Sequence, residues 1–368
     1  DGVATSGVSV PALIQTFRSE MNAPEHAQYV HFGATSQDII DTGLALRLRR
    51  VMHLFETRLR SLLSTLARLA EERAETAMLA RTWGHAALPT SLGALISSCA
   101  LPLLHAYQGL SDVKDRLTLV SLSGAAGTAS ALGPNPEALR KDLAKALDLS
   151  DPETSWHTVR TGPLHLAQWA TTVTTALAKL GEDTIALTAS GGIALTGSGS
   201  SSTMPQKQNP VGPSLLVALA NHPNGLGHSK ALAARHRAQR DGAAWMTEWL
   251  PLPQLCLATG RALTVAHETA QALTADTDAL MSEITAQNGL IYAEALQFTL
   301  AERMPRPDAQ AAVKMLCQEV RASGRDLETR ARARYADLPT TLFTAKSQLG
   351  TAPKEARAVA KAIREALA

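Results

Sequence analysis

Residues 199–210 read Gly-Ser-Ser-Ser-Thr-Met-Pro-Gln-Lys-Gln-Asn-Pro, and this stretch decides how the rest of the chain is interpreted. Gly197 and Gly199 permit positive φ values and a close approach of the backbone to a ligand, whereas the two prolines each fix φ. These features predict a mobile loop over residues 190–210 that has a defined shape once it has closed. The alternative is a polar Gly/Ser linker, but linkers seldom carry Met-Pro-x-Lys-x-Asn-Pro after their serines.

The same loop holds the groups that carbon-acid chemistry requires. Ser201 is a potential proton acceptor, Lys207 carries a positive charge and Asn209 is a neutral donor. Removing a proton from carbon next to a carboxylate needs a base, together with a cation and donors for the growing negative charge. The loop therefore predicts proton transfer on a carboxylate substrate.

Length and composition agree with a soluble enzyme. At 368 residues the chain can bury a large core, and this length suggests two or three domains. A net charge of +2 and a pI of about 8.5 predict neither a nucleic-acid partner nor a membrane partner. We find no apolar run of membrane-spanning length and no signal peptide. Because the chain opens on Asp1 in mid-pattern, we expect further residues upstream.

The three cysteines predict a reducing compartment. Cys99, Cys256 and Cys317 are far apart, odd in number and each in an apolar stretch. This pattern is typical of small core residues and not of a disulfide or zinc framework. We therefore predict a cytoplasmic protein without a structural metal.

Helical periodicity dominates the sequence. From Leu48 onward apolar residues recur every three or four positions with Arg and Glu between them, which predicts a long amphipathic helix. Ile193–Leu195 is predicted to form at most a short strand. The fold class is therefore predicted to be all-α, with a long central helix bundle. Similar periodic segments cover about 91–122, 164–189, 211–236, 251–285 and 288–303.

The domain organisation follows from the lengths of these segments. The helices leave wide apolar stripes, so we predict a bundle completed by other subunits rather than a monomer. The predicted parts are a remnant of an N-terminal helical domain, a central long-helix bundle with the Ser loop, and a smaller C-terminal helical domain, over 1–30, 31–254 and 255–368.

Three further polar segments interrupt the helical pattern, namely HFGATSQD at 31–38, RTWGHAALPT at 81–90 and SWHTVR at 155–160. The first can be a simple helix cap, or its hydroxyls and free N–H groups can bind a carboxylate beside a histidine. The histidines of the other two segments can equally be structural. Together with the Ser loop, the segments predict a pocket for a small polycarboxylate.

At this point the chain resembles a known family. Ser201–Pro210 resembles the mobile loop of the fumarase/aspartase superfamily, which includes fumarase, aspartase, argininosuccinate lyase, adenylosuccinate lyase and 3-carboxy-cis,cis-muconate cycloisomerase. The resemblance extends from Asp1 to about Met304. It implies an all-helical homotetramer with a twenty-helix central bundle and active sites to which three chains contribute. The segments most similar to the cycloisomerase branch are 31–42, 81–83, 156–158 and 242–253.

The resemblance also implies roles for individual residues in a reaction without metal or organic cofactor. Ser201 would be the general base, and Lys207 would stabilise the substrate carboxylate whose charge grows. His85 or His157 would supply a proton where the leaving group needs one. The substrate, a di- or tricarboxylate, would contact His31, Thr35, Ser36, Gln37, Arg81, Trp83, Arg160, Ser202, Met204 and Asn209.

Two positions bear on the specific reaction. Trp83 stands where other lyases of the superfamily usually carry a proton-donating histidine. The cycloisomerase branch usually continues its Trp-His segment with Gln-Arg-Asp-Arg, whereas residues 159–162 here read Val-Arg-Thr-Gly and lose an acid and a cation. Both favour a β-eliminating lyase on a succinate-like substrate with a good leaving group, for which conversion of nitrosuccinate to fumarate and nitrite is a plausible case. The alternatives are 3-carboxy-cis,cis-muconate cycloisomerase itself and a non-catalytic structural homologue. The intact Ser201, Lys207 and Asn209 argue against the last.

Overall fold

The computed structural model describes residues 2–197, 199–200, 203–204 and 207–368. Helices make up most of these residues, which confirms the predicted all-α class. In chain order they are α1 (Gly2–Ser6), α2 (Val10–Glu20), α3 (Pro24–Ala27), α4 (Ser36–Glu72), α5 (Leu92–Gln108), α6 (Leu110–Asp115), α7 (Pro136–Leu147), α8 (Thr161–Ala189), α9 (Val211–Ala233), α10 (Gly242–Trp249), α11 (Pro251–Ala272), α12 (Thr277–Thr285), α13 (Ala293–Ala301), α14 (Arg306–Ser323), α15 (Leu327–Arg334) and α16 (Ala352–Leu367).

The strands in the described ranges are short. They are β1 (Ala77–Thr82), β2 (His85–Ser91), β3 (Ile193–Leu195), β4 (Gly199–Ser200), β5 (Gln208–Asn209) and β6 (Leu273–Ala275). They form antiparallel pairs, β1 with β2, β3 with β6 and β4 with β5. None of the helices in the same ranges has both the length and the apolar character that a membrane span requires.

The longest helix, α4, confirms the amphipathic helix predicted around Leu48. Its N-terminus has part of a capping box, because the Asp38 carboxylate accepts a hydrogen bond of 3.0 Å from the backbone N–H of Thr35. The helix-cap interpretation of this segment therefore holds. The buried face repeats every three or four residues and contains Met52, Phe55, Leu59, Leu62, Leu63 and Leu66.

Two periodic segments are interrupted where the pattern predicted a continuous helix. In 91–122, α5 ends at Gln108, α6 is short, and the chain then forms a loop with Gly124 at positive φ. In 251–285, β6 separates α11 from α12, and Asp276 caps α12 by accepting hydrogen bonds from two of its backbone N–H groups. Apolar periodicity continues through both breaks, so the periodicity alone does not fix where these helices end.

Residues 81–90, which interrupt the predicted helical pattern, form part of a hairpin. Thr82 pairs with His85, and the central residues Trp83 and Gly84 have φ values of 53° and 80°. Positive φ at both positions is what a type I′ hairpin turn requires. The sequence of β1, Ala-Met-Leu-Ala-Arg-Thr, has little β-branched character, so pairing with β2 and not local propensity makes it a strand.

The base of this hairpin is packed tightly against the end of α4. Ser91 Oγ donates to the carbonyl of Ala74 at 2.6 Å, and Gly93 N donates to the carbonyl of Arg73 at 3.0 Å. A Cβ atom at position 93 would lie 2.3 Å from the carbonyl oxygen of Ala70. Glycine is therefore required for the approach that fixes where the hairpin leaves the helix.

The chain contains two compact units, each spread over three stretches of sequence. In unit 1, the rings of Phe55 and Trp169 stack with centroids 5.7 Å apart. In unit 2, α13, α14 and α15 surround an apolar cluster that includes Leu296, Leu316 and Leu327. Unit 1 is Asp1–Leu59, His105–Thr175 and Ala218–Thr264, and unit 2 is Arg60–Leu104, Ala176–Val217 and Val265–Ala368. The three domains expected from the sequence stay a prediction.

Asp38 holds three separate segments of unit 1 together. Burial acts to raise the pKa of this carboxyl group, but the hydrogen bonds from His157 and from the Thr35 backbone outweigh it and hold the pKa below its usual value. The carboxylate is therefore ionised and accepts the hydrogen bond that it shares with His157 Nε2. The carboxylate accepts five hydrogen bonds of 2.7–3.0 Å, from Thr35 N, Ser121 Oγ, Ser123 N, Gly124 N and His157 Nε2.

Gly93→Ala is expected to lower the free energy of unfolding by about 1–3 kcal/mol, because the added methyl group would overlap the backbone of α4. Gly225→Ala in α9 is the matched control, since a Cβ atom there meets nothing within 4 Å. The control should raise the free energy by up to about 1 kcal/mol through helix propensity. Urea unfolding followed by circular dichroism measures both, and equal effects would contradict the close packing at Gly93.

Asp38→Asn is expected to lower the free energy of unfolding at pH 7 by about 3–5 kcal/mol, because it removes a buried negative charge that accepts five hydrogen bonds and turns one of its oxygens into a donor. The folded-state pKa lies below the unfolded value near 3.8, so the stabilisation is complete above pH 3.8 and is lost as the pH falls through the folded pKa. The difference between wild type and variant should therefore shrink below about pH 4.

Urea titrations of both proteins between pH 7 and pH 3 measure this dependence. Asp148→Asn is the control, because that side chain is 94% exposed beside Arg49, and its effect should stay within about 0.5 kcal/mol. A difference between wild type and Asp38→Asn that is constant with pH would show that ionisation of Asp38 does not stabilise the fold.

Candidate active site

The first and third predicted polar segments meet inside unit 1. Gln37 Nε2 donates to the carbonyl of His157 at 2.9 Å and to Asp41 Oδ2 at 3.2 Å. Gln37 Oε1 accepts a hydrogen bond of 3.1 Å from Arg240 Nε. Both ends of this buried amide are therefore engaged within the chain. Gln37 therefore joins the two segments and a third element, and its contact with the substrate stays a prediction.

A buried cluster of four charges adjoins Gln37 through Asp41. Arg160 Nη1 donates to Asp41 Oδ2 at 2.8 Å, and Arg160 Nε donates to Glu248 Oε2 at 3.2 Å. Lys230 Nζ also donates to Glu248. None of the four side chains is more than 1% exposed. Two cations face two carboxylates, so the cluster is neutral, as the cost of burying charge demands.

The members of the cluster shift each other's ionisation. Burial acts to lower the pKa of Arg160, but attraction to Asp41 and the hydrogen bonds to Glu248 raise it. Burial acts to raise the pKa of Glu248, but the hydrogen bonds and charge of Arg160 lower it. For Lys230, burial outweighs attraction to Glu248 and lowers the pKa. The Glu248 carboxylate therefore stays ionised at neutral pH, and Arg160 stays protonated.

Two predicted site residues are interior groups of unit 1. Arg160 is 1% exposed and donates to carboxylates through all three of its side-chain nitrogens. His157 is also 1% exposed, and in the described ranges its Nδ1 is buried without a hydrogen-bond partner. Arg160 was predicted to bind the substrate and His157 to donate a proton. Inside this chain both are held by carboxylates, and Arg160 has the contacts of a structural counter-ion.

Sequence reasoning missed two contributors to this region. Arg240 Nη1 donates to Thr35 Oγ1 at 2.6 Å, and residues 121–124 bind the Asp38 carboxylate. Weak signals for both are present in the sequence. Residues 121–130 are rich in Ser and Gly, and Asp241, a favoured N-cap residue, directly precedes α10.

The remaining polar residues of the first segment lie next to this region. His31 has a φ of 66°, and its buried Nε2 has no hydrogen-bond partner among the described residues. Ser36 is the first residue of α4 and is half-buried. Substrate contacts at both residues stay a prediction. No three His, Cys, Asp or Glu side chains within the described ranges are placed to hold a metal ion.

The second polar segment lies in unit 2, at the tip of the β1–β2 hairpin. Trp83 is fully exposed, and His85 is exposed beside it. Arg81 Nη2 lies 3.3 Å from Glu283 Oε1, so its charge is partly balanced within the chain. The hairpin therefore carries an indole, an imidazole and a guanidinium group on a short projecting turn.

The Ser loop also belongs to unit 2, and its ends are joined by backbone pairing of β4 with β5, which contains Asn209. Lys207 N donates to the carbonyl of Met204 at 2.9 Å, and both side chains are exposed. Ser201 and Ser202, predicted as general base and substrate contact, lie outside the described residues. The roles predicted for the loop therefore stay predictions.

Comparison with known proteins finds similarity over most of the chain. The family model described as "Lyase" matches residues 5–222. The chain is 35% identical over 334 residues to 3-carboxy-cis,cis-muconate cycloisomerase from Pseudomonas aeruginosa, an alignment that covers 89% of this chain and 73% of that protein. The residues that the family model matches include the first and third polar segments, at 31–38 and 155–160.

Solved structures agree with the sequence match. The 3-carboxy-cis,cis-muconate lactonizing enzyme from Pseudomonas putida has a TM-score of 0.92 and 31% identity, with 100% of this chain and 85% of that chain covered. A fumarate lyase from Mesorhizobium sp. BNC1 has a TM-score of 0.91 and 26% identity, with 98% and 84% covered. The chain therefore belongs to the lyase family of the fumarase/aspartase superfamily and to its 3-carboxy-cis,cis-muconate cycloisomerase-like branch.

Proposed function

We propose that this enzyme is a 3-carboxy-cis,cis-muconate cycloisomerase, which closes a lactone by adding a substrate carboxylate across a double bond. The observation that carries the proposal is 35% identity to the Pseudomonas aeruginosa cycloisomerase across 89% of the chain. This similarity favours lactonisation over the β-elimination that the sequence alone suggested. The second candidate is therefore the elimination, and the two reactions pass through the same kind of intermediate.

The proposed chemistry takes place on carbon next to a carboxylate. In the lactonising direction, one carboxylate oxygen of the substrate forms a bond to an alkene carbon. The electron pair of the double bond moves toward a second carboxylate, which becomes an enediolate-like dianion. The Ser201 hydroxyl then protonates the adjacent carbon and regains its proton from solvent. In the reverse direction Ser201 is the general base.

Lys207 and Asn209 support this step in the proposal. Negative charge grows on one carboxylate as the carbon–oxygen bond forms, so a cation and a neutral donor stabilise the transition state more than the substrate. The serine alkoxide that remains after proton transfer needs positive charge nearby for the same reason. Lys207 is exposed on the loop, as expected of a group that reaches the substrate only on closure.

A specific observation favours the second candidate, β-elimination from a succinate-like substrate. Val159 and Gly162 stand where the branch usually carries Gln and Arg. A Cβ atom at Gly162 would lie 2.2 Å from the carbonyl oxygen of Arg116, so this backbone admits no side chain there. The cation is therefore replaced by a close backbone contact, which would suit a substrate with fewer carboxylates.

The proposal extends to a homotetramer in the cytoplasm, with active sites to which three chains contribute. The fully exposed Trp83 supports it, because a large apolar ring on a projecting turn is a typical contact between subunits. The cysteines, unpaired in the structure, are compatible with a reducing compartment.

The substrate is tested by separate incubation with 3-carboxy-cis,cis-muconate, nitrosuccinate, malate and aspartate. We expect the highest kcat/KM for 3-carboxy-cis,cis-muconate, measured as the loss of diene absorbance. Nitrosuccinate turnover is followed by nitrite release and by the gain of fumarate absorbance. Turnover of succinate derivatives without turnover of the muconate would replace the proposed reaction by the second candidate.

Ser201→Ala is expected to lower kcat by about 100- to 10,000-fold on whichever substrate is turned over, because it removes the proton-transfer group. Lys207→Met should raise KM and lower kcat together. Ser190→Ala is the control, since its hydroxyl donates to the Leu187 carbonyl at the end of α8, and it should keep wild-type turnover. Near-normal turnover of Ser201→Ala with an unchanged assembly would remove the general base from the mechanism.

A further inference from the structure

Arg240 is a partly exposed cation held only by neutral groups in the described part of the chain. Its Nε donates to Gln37 Oε1 at 3.1 Å, and its Nη1 donates to Thr35 Oγ1 at 2.6 Å and to the carbonyl of Ala125 at 3.4 Å. Nη2 carries no hydrogen bond to any described residue. One side of the guanidinium group is therefore fixed, and the other keeps free donors.

The partners of Arg240 are themselves rigidly placed. Gln37 is held by Asp41 and by the carbonyl of His157, and Asp41 belongs to the neutral four-charge cluster. The backbone next to Arg240 is fixed as well, because Asp241 caps α10 and also accepts a hydrogen bond of 3.1 Å from the backbone of Arg237. The guanidinium group is thus oriented before any ligand arrives, which lowers the entropic cost of binding.

The charge of Arg240 distinguishes it from the other arginines of this region. Arg160 faces Asp41 and Glu248, and Arg237 faces Asp241. Arg240 has no carboxylate within ion-pair distance among the described residues. A half-buried cation with neutral acceptors on one side and free N–H groups on the other is suited to bind a carboxylate through charge-assisted, two-point hydrogen bonds.

We propose that Arg240 binds a carboxylate of the substrate and that Thr35 and Gln37 are positioning residues for its guanidinium group. This inference rests on the proposed function in requiring a polycarboxylate substrate. It changes the role expected of Gln37, which acts through Arg240 and not by touching the substrate. The cluster of Arg160, Asp41, Glu248 and Lys230 then supports substrate binding from the interior, through Gln37.

Equilibrium binding of tricarballylate, an unreactive tricarboxylate, to the assembled enzyme tests the inference without turnover. Isothermal titration calorimetry should show Arg240→Met binding about 10- to 100-fold more weakly than wild type, as expected for the loss of a charge-assisted pair. Arg235→Met is the matched control, because Arg235 is an exposed cation of the same connecting segment without a side-chain partner among the described residues. Its affinity should equal that of wild type.

Arg240→Lys provides a second variant that keeps the charge but loses the fork of donors. It should bind tricarballylate at least about 5-fold more weakly than wild type, because an ammonium group cannot hold Thr35, Gln37 and a carboxylate together. A residue that only fastened the fold would lower the thermal midpoint of Arg240→Lys and leave its affinity unchanged. An unchanged affinity of Arg240→Lys would overturn the inference. So would equal affinities of Arg240→Met and Arg235→Met for tricarballylate, or a wild type that does not bind tricarballylate.

Turnover measurements separate this inference from the proposed function. If wild type binds tricarballylate through Arg240 but converts none of the four candidate substrates, the reaction is wrong and the carboxylate site stands. If wild type converts 3-carboxy-cis,cis-muconate and Arg240→Met keeps its KM, the reaction stands and the carboxylate site is wrong. If the proposed reaction and the carboxylate site are both right, Arg240→Met raises the KM for 3-carboxy-cis,cis-muconate by about the same factor as the dissociation constant for tricarballylate.

Discussion

The buried carboxylate of Asp38 is the interaction on which the polar part of unit 1 depends. A carboxylate has two oxygens that only accept hydrogen bonds, so it can satisfy several donors at one point. Here it accepts from the start of α4, from the loop at 121–124 and from His157. The backbone N–H groups among these donors are buried and would otherwise lack partners. One ionised side chain therefore brings three distant segments into a single arrangement, and its low pKa keeps them together at neutral pH.

Charge in this region is distributed in two distinct ways. In the interior, Arg160 and Lys230 are matched by Asp41 and Glu248, so the cluster is neutral and its side chains have no free charge to offer a ligand. Closer to the surface, Arg240 lies among neutral acceptors and keeps its net charge. Gln37 connects the two, since its amide donates to Asp41 and accepts from Arg240. The charges of the interior cluster are balanced, whereas the charge of Arg240 at its edge is not. This arrangement favours an anionic substrate, because only the unbalanced cation forms a new ion pair when the substrate binds.

The family and the reaction are supported by different kinds of observation. Membership of the lyase family follows from matches over most of the chain. Lactonisation is a proposal drawn from the identity to cycloisomerases, and it takes precedence over the elimination that Trp83 and residues 159–162 first suggested. Gly162 still distinguishes this chain within unit 1, because it packs too closely on Arg116 to carry a side chain. The substrate is thus the point at which similarity to relatives and local geometry favour different answers.

The sequence by itself determined the all-α class, the existence of the long amphipathic helix α4 and the composition of the Ser loop, because helical periodicity and short motifs are local properties. It also indicated the helix cap at residues 31–38. Only the tertiary structure decided that residues 77–91 form a hairpin, that Arg160 is an internal counter-ion and that Gln37 is turned toward Arg240. Arg240 and Thr35 are 205 residues apart, and no periodicity or spacing relates them. Their hydrogen bond, like those of Asp38, exists because packing brings separate segments together and buried donors then require acceptors.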